Sequence, residues 1–378
     1  MSAVVSPTAV LVFRSLAEVQ APPLVSRIRL KKMHLPPCPA QRKSFYETLQ
    51  STPDLDLRDK RGKRHDLSMV LVGFSLALLS NRDGNLSSIH RHMRRRYAEL
   101  CQFLGEVPKK VVSRSQLPLI LSRVNRGVLE GLIFDFCGAS LCEGQKKWFS
   151  VDGKELRGSI QKGDKRGEAI VELVFHDNGQ IKGQAFYSGK KESEQPAVRD
   201  LLKGYGVLDQ KISADALHFN PATLNLIHKS GGTYLIGLKD NQAEMLGEMQ
   251  GVSRRISIGY QQVTTEKGHG RIEKRSYRGI DVRGEYFDPR WGKSGLATLI
   301  KIERSRTDTK TLQVSEETAW YMSNQIPENQ KQAEELFTAV RKHWSVETTN
   351  HVRDVSLKED RLRTKKTMFQ KPPPRLEQ

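Results

Sequence analysis

The chain has 378 residues, with 62 Lys and Arg against 43 Asp and Glu, a formal net charge of +19. That length allows two or three domains with a proper core, and a composition 37% hydrophobic and 28% charged excludes a disordered chain. No apolar run approaches the roughly 20 residues that a membrane helix needs, so the positive excess points to a polyanion, with DNA or RNA as the default partner.

Residues 1–40 mix Pro, Val and Ala with little periodicity and read as a disordered extension. Met1–Phe13 carries no basic residue ahead of its apolar part and makes a poor secretion signal. Residues 44–50 read as a helix, 56–66 as a basic loop, 67–80 as a buried helix, and 85–104 as a helix bearing His90, Arg91, His92, Arg94, Arg95 and Arg96. Residues 113–125 begin with Ser-x-Ser-Gln, a helix start. Together, residues 41–145 form a helical, basic domain suited to phosphate contacts. A solvated basic face would have the same pattern. The cysteines (Cys38, Cys101, Cys137, Cys142) form no Cys-x-x-Cys pair and complete no zinc pattern, which fits a reduced, cytoplasmic compartment.

From Trp148 the pattern changes to period two. Residues 148–151 read as a buried strand that delivers Asp152 to its exposed end. Gly153 removes the side chain that would crowd whatever this carboxylate holds, and Lys154 and Arg157 add positive charge. An acid holding a metal ion beside a phosphate would look this way; so would a strand ending in an Asp-Gly turn. Strands at 168–176 and 181–188 flank Asp177-Asn178-Gly179, a hairpin signal. A helix at 196–204 with Pro196 at its start, a strand at 210–214, a helix at 220–230 and a strand at 233–238 follow. Three adjacent antiparallel strands and then helix, strand, helix, strand predict a mixed α/β sheet. Residues 250–325 contain several short strand-like runs and read as a β-rich insertion. Residues 329–355 read as one long helix.

Asp215 repeats the logic of Asp152, an acid at a strand end followed by His218, Asn220 and Pro221 at a helix start. Sites gather at such places in α/β sheets. His343, Glu347, His351 and Asp354 share one face of the last helix with the apolar stripe Leu336, Val340, Trp344. That places Glu347 toward the sheet, where a carboxylate needs a partner, an ion or an arginine. The spacing His343-Glu347-His351 lacks the His-Glu-x-x-His arrangement of zinc proteases. Three acids, two metals and a basic surface suit in-line attack on a phosphodiester, one ion activating the attacking oxygen and the other stabilising the leaving one.

The motifs Val151-Asp152-Gly153-Lys154-x-Leu156-Arg157-Gly158-Ser159, Ser213-Ala214-Asp215-Ala216, Leu238-Lys239-x-Asn241-Gln242, Gly268-His269-Gly270-Arg271-Ile272-Glu273 and His343-Trp344-x-Val346-Glu347 occur in order. They are followed by His351, Asp354-Val355, Glu359-Asp360 and Arg363. The set resembles bacterial insertion-sequence transposases of the DDE class, the H-repeat-associated group. The resemblance implies a ribonuclease-H-like mixed sheet flanked by helices, with core parts at 146–245 and 326–366 and the insertion at 246–325. It implies that Asp152, Asp215 and Glu347 hold two Mg²⁺ (or Mn²⁺) ions. Lys154, Arg157, Lys239, His269, Arg271, Arg94, Arg95 and Arg96 are the expected DNA contacts. The implied activity is cleavage of transposon ends and strand transfer into target DNA, by a homodimer on the bacterial nucleoid and with no membrane partner. The alternatives are a non-catalytic DNA-binding remnant of such a gene and a structure-specific nuclease. Residues 367–378, a proline-rich stretch where the family continues with an apolar helix, favour the remnant. Such an ending would leave the Glu347 helix without a packing partner.

Overall fold

The structure, a computed structural model, describes residues 43–80, 85–137, 145–156, 160, 167–187, 191–268 and 270–356. The expected extension at 1–40 and the proline-rich end at 367–378 lie outside the described residues. The chain divides into two compact units, one built on the helices within 43–137, the other on residues 145–155 and 168–349.

The first unit contains five described helices: α1 (Phe45–Ser51), α2 (Leu67–Ser80), α3 (Leu86–Leu104), α4 (Gln116–Leu121) and α5 (Arg126–Phe136). Their starts follow local chemistry. Ser44 and Glu47 form a reciprocal capping box, and the Asn85 and Asn125 side chains accept from the Ser88 and Val128 amides. Helix α2 is buried almost all round, from Leu67 to Phe74 and again at Ala77. It forms the centre of a core with Phe45, Leu49, Ile89, Met93, Leu117 and Leu132. Helix α5 was absent from the expected elements, which ended this region with one helix at 113–125.

The second unit is a nine-stranded mixed sheet flanked by helices. Its strands are β1 (Trp148–Leu156), β2 (Glu168–Phe175), β3 (Ile181–Tyr187), β4 (Lys211–Ala214), β5 (Thr233–Leu238), β6 (Tyr260–Gly268), β7 (Arg271–Asp281), β8 (Thr298–Asp308) and β9 (Val314–Ser323). Their spatial order is β3-β2-β1-β4-β5-β9-β8-β7-β6. Strands β2 and β3 are antiparallel across the expected hairpin, where Gly179 takes φ 71. The His176 amide, just past β2, donates to the Trp148 carbonyl at the start of β1 (3.0 Å). Strands β1, β4 and β5 are mutually parallel, joined through α6 (Lys191–Gly204) and α7 (Pro221–Lys229). After α8 (Ala243–Arg255) the chain forms the antiparallel ribbon β6–β9, whose last strand pairs with β5. The strands of the β-rich region thus continue the central sheet.

Two expectations about helices need correcting. The helix expected to begin at Pro196 begins at Lys191, with Pro196 inside it. The four leading amides of a helix have no intrahelical acceptor, so a proline at the sixth position removes only one ladder bond. The single helix expected at 329–355 is broken into α9 (Gln330–His343), α10 (Ser345–His351) and a π turn at Val352–Ser356. Helix α9 places Ala333, Leu336, Phe337 and Val340 against Trp148, Tyr277, Ile300 and Tyr321 of the sheet. The Phe337 ring stacks on Tyr277, with centroids 5.4 Å apart. Phe337→Ala is expected to destabilise the protein by about 3–5 kcal/mol, read from denaturant unfolding. A loss below about 1 kcal/mol would show that this packing does not anchor α9.

Candidate active site

In the parallel pair β1–β4, Val151 lies opposite Ala214. The next residue in each segment is an acid: Asp215 follows the end of β4, while Asp152, expected at the exposed end of its strand, lies inside β1, which runs on to Leu156. Asp152 is half-buried and Asp215 exposed. The Asp152 carboxyl is pushed up to about 7, chiefly by burial, then by the charges of Asp215, Glu172 and Glu194. The first two expected acids are therefore neighbours, joined by two further acids that motif reading did not single out.

Glu172 lies on β2, buried, and accepts a hydrogen bond from the Gln184 amide. Its signal in the sequence was a lone acid inside the apolar run Ala169–Val174. Glu194 lies on the opening turn of α6 and accepts from the Tyr187 hydroxyl at 2.9 Å. Burial and Glu194 together push the Tyr187 phenol up. A Cβ on Gly153 would come within 2.6 Å of the Glu194 carboxyl carbon. Glycine at this position leaves room for the Glu194 carboxylate, whereas its expected role was to clear space for whatever Asp152 holds. Glu194 escaped notice because the expected helix began two residues after it.

The loop after Asp215 is held by three amide side chains. Gln195 donates to the Leu217 carbonyl (2.8 Å), Asn241 to Ala216 (2.6 Å) and Gln242 to Phe219 (3.2 Å). The Asp215 carboxylate itself accepts from the Leu217 amide. Asn241 and Gln242 were family landmarks without a role; here they brace the segment that carries Asp215 and His218. His218 is 1% exposed, and neither ring nitrogen makes a hydrogen bond among the described residues. Its Nε2 lies 3.3 Å from Glu194 and 3.9 Å from Asp215, within ion-pair range but poorly aligned. An unsatisfied buried polar group costs about 1–3 kcal/mol.

A second buried array lies on β4. Ser213 Oγ sits 2.8 Å from His176 Nε2 and 3.1 Å from His343 Nδ1. Burial, then neighbouring positive groups, pushes His176 down to about 3 and His343 down to about 4, so both rings are neutral at pH 7. His343 is the last residue of α9, so this array ties the end of that helix to the strand carrying Asp215.

Glu347 was expected to face the sheet. It is exposed, and Val346 takes the inward place, packed with Val174 and Ile181. The break at Trp344 resets the helical phase, so the stripe that includes Val340 and His343 does not continue to Glu347. Among the described residues, no three His, Cys, Asp or Glu side chains are disposed to hold a metal ion. Of the expected DNA contacts, Arg94, Arg95 and Arg96 are exposed on α3, and Lys239 is exposed just past β5. Arg271 is exposed 3.9 Å from Glu273, an acid also approached by Arg275, Arg304 and Arg306. Lys154 is buried on β1. Arg157 and His269 lie outside the described residues.

A family profile described as the transposase DDE domain matches residues 129–369, more than half of the chain. The chain belongs to this family, the DDE transposases. The matched span includes Asp152, Asp215 and Glu347. The chain is 23% identical over 329 residues to the Escherichia coli K12 protein named "H repeat-associated putative transposase YhhI", covering 84% of each. It is 28% identical over 221 residues to "Putative protein YbfL" of the same strain, covering 57% of this chain and 58% of that one. It is 27% identical over 227 residues to "Putative transposase YncI" of Escherichia coli O157:H7, covering 57% and 56%. The chain thus spans less than two thirds of the length of two of these three relatives.

The raised carboxyl of Asp152 has a consequence for the metal-free DDE transposase. A free aspartate titrates near 3.9 and Asp152 near 7. Between those values the native state holds the extra proton, so stability falls as pH rises through that window. Asp152→Asn is expected to unfold at pH 4 much as the wild type does. At pH 8 in chelator it should be more stable by about 1–3 kcal/mol. Urea midpoints at the two pH values check this; an equal effect at both would contradict it.

Proposed function

We propose that this protein cuts and joins DNA strands at a two-metal site built on Asp152, Asp215 and Glu347. The observation that supports this reading is the β1–β4 register, which brings the segments carrying Asp152 and Asp215 together, with the Asp152 carboxyl pushed up to about 7 by burial and then by Asp215, Glu172 and Glu194. The strand order β3-β2-β1-β4-β5, with β1, β4 and β5 parallel, supports a ribonuclease-H-like core. The antiparallel ribbon β6–β9 is then the insertion, and the helices within 41–145 the end-binding domain. Glu347 follows His343, which is tied to Ser213, two residues before Asp215, and this supports its place as the third acid.

The donor type fits the group: carboxylate oxygens suit a divalent cation, and the Asp152 carboxyl is pushed up, chiefly by burial and then by neighbouring acids. Bound Mg²⁺ or Mn²⁺ would supply Lewis-acid activation of the attacking oxygen and charge stabilisation of the leaving one. Asp152 would hold the ions from within β1, Asp215 from just past β4, and Glu347 from α10. Asn241, Gln242 and Gln195 keep the Asp215 loop in place. Lys239 and the arginines around Glu273 would meet phosphate oxygens. The net charge of +19 supports DNA as the partner. No helix among the described residues is long and apolar enough to cross a membrane. A homodimer acting in the bacterial cytoplasm, on nucleoid DNA, completes the proposal.

The test is cleavage and strand joining on DNA carrying the element's ends, with Mg²⁺ or Mn²⁺. Asp152→Asn, Asp215→Asn and Glu347→Gln are each expected to reduce both products to background while leaving end binding intact. DNA binding with no metal-dependent cleavage by the wild type would return the protein to a binding remnant, and cleavage without joining would make it a nuclease. For the basic helix, replacing Arg94, Arg95 and Arg96 together by Ala should lower the slope of log affinity against log salt by roughly 2 to 3. An unchanged slope would remove α3 from the DNA interface.

A further inference from the structure

The helices of the first unit enclose a cavity that the proposed activity leaves unused. It has a volume of about 120 Å³ and lies between α1, α2, α3 and the segment 106–112 that follows α3. The His90 ring, with Nε2 2.8 Å from the Val112 carbonyl, ties the far end of that segment to α3. Met69 and Met93, both buried, form apolar walls, and Gly73 keeps the space between them open. A Cβ on Gly73 would stand 3.5 Å from the end of Met93 and 3.4 Å from Leu100, another wall residue. An apolar cavity of about 150 Å³ takes a benzene molecule. The cavity beside Gly73 is thus the size of one six-membered ring and falls short of a fused pair.

The polar groups on this cavity divide by sign. The Tyr46 hydroxyl donates to Glu106 Oε1 at 2.9 Å, and no donor among the described residues bonds the second oxygen, Oε2. Asp66 caps α2 by accepting from the Met69 amide at 2.7 Å. Burial, then Glu106, pushes the Tyr46 phenol up; burial also raises Tyr97, and the Asp66 charge contributes to both. Two carboxylates and two phenols therefore converge on the cavity. At its mouth Arg64, Lys109 and Lys110 are exposed. A carboxylate can only accept hydrogen bonds. The matching ligand brings N–H donors to the acids, a flat ring to the methionines and an anion to the mouth. A cytosine nucleotide has all three, its N4 amino group being the donor. Thymine has the same size but carries the acceptor O4 in that place.

We propose that this cavity binds an unpaired cytosine nucleotide, with the N4 amino group on Glu106 and Asp66, the ring between Met69 and Met93, and the phosphate on Arg64, Lys109 and Lys110. A DNA strand and free dCMP present the same chemistry to it. The proposal goes beyond the two-metal reading and stands apart from it, because no divalent ion takes part.

The experiment measures binding to the whole protein in chelator, by fluorescence anisotropy of labelled single-stranded oligothymidylates carrying one central dC, one central dA or neither. The dC strand is expected to bind at least about fivefold more tightly than the other two. Glu106→Gln keeps an acceptor for Tyr46, and Asp66→Asn keeps the helix cap. Together they should bring the dC strand to the level of plain oligothymidylate, whose own binding becomes no weaker. Gly73→Ala tests space rather than charge. Its methyl makes ordinary contact with Met93 and Leu100, so the thermal midpoint should not fall, while the preference for dC is lost. Lys109→Ala with Lys110→Ala should weaken all three strands alike. Competition with dCMP and dTMP separates the sources, and dCMP should compete better than dTMP. If dCMP binds as tightly as the dC strand, the free nucleotide is the ligand; if it binds more than about tenfold more weakly, the ligand is a DNA strand. Binding of dCMP by a protein that binds none of the strands would uphold the cytosine site and overturn DNA as its partner. Equal affinity for the dC and plain strands together with equal competition by dCMP and dTMP overturns the proposal. So does a preference for dC that survives both the Glu106→Gln, Asp66→Asn pair and Gly73→Ala.

Discussion

The parallel pairing of β1 with β4 is the constraint on which the candidate site depends. Once Val151 pairs with Ala214, Asp152 on β1 and Asp215 just past β4 come next on adjacent segments whatever their mutual repulsion. The sheet supplies the stability to hold them there, through fully buried residues such as Phe149, Val151 and Ile212. The price is visible in the carboxyl of Asp152, which burial and three neighbouring acids push up to about 7. Acids brought together this way raise the cost of ionising all of them at once.

Around this pair the polar groups divide into two kinds. Gln195, Asn241 and Gln242 bond carbonyls of the loop after Asp215 and hold its backbone. The His176–Ser213–His343 array is buried and neutral, and it joins the end of α9 to β4. Neutral histidines are the form that burial permits, since a charged ring there would lack solvation. Both sets act on position.

The ribbon β6–β9 adds a different electrostatic pattern. Glu273 is buried among Arg271, Arg275, Arg304 and Arg306, while Glu266 pairs with Arg341 of α9 and with Arg275. One acid among four guanidinium groups lets them crowd together on neighbouring strands, where direct cross-strand repulsion such as that of Arg275 opposite Arg304 would otherwise disfavour the pairing. The result is a ribbon in which guanidinium groups and acids alternate across the strands.

Period-two patterning, the Asn178-Gly179 turn and helix caps such as Asn85 and Asn220 are local signals, so the order of most elements was legible in the sequence. So was the strand end before Asp215, because a strand boundary is also local; Asp152, expected at the exposed end of a strand over 148–151, instead lies half-buried inside β1, which runs on to Leu156. Their adjacency was not legible, since it rests on a register between chain segments more than sixty residues apart. Glu194 and Glu172 were hidden for the same reason: each looks ordinary on its own helix or strand and becomes part of the cluster only when β2, β3 and α6 assemble beside β1. Glu347 shows the opposite failure. Helical periodicity turned it toward the sheet, but the break at Trp344 changes the phase and gives the inward place to Val346. The sequence by itself determined most local elements, the acid that follows β4 and the basic character of the chain. Only tertiary structure decided which charges meet, because charge interactions depend on through-space distance, and that distance is set by long-range pairing and packing.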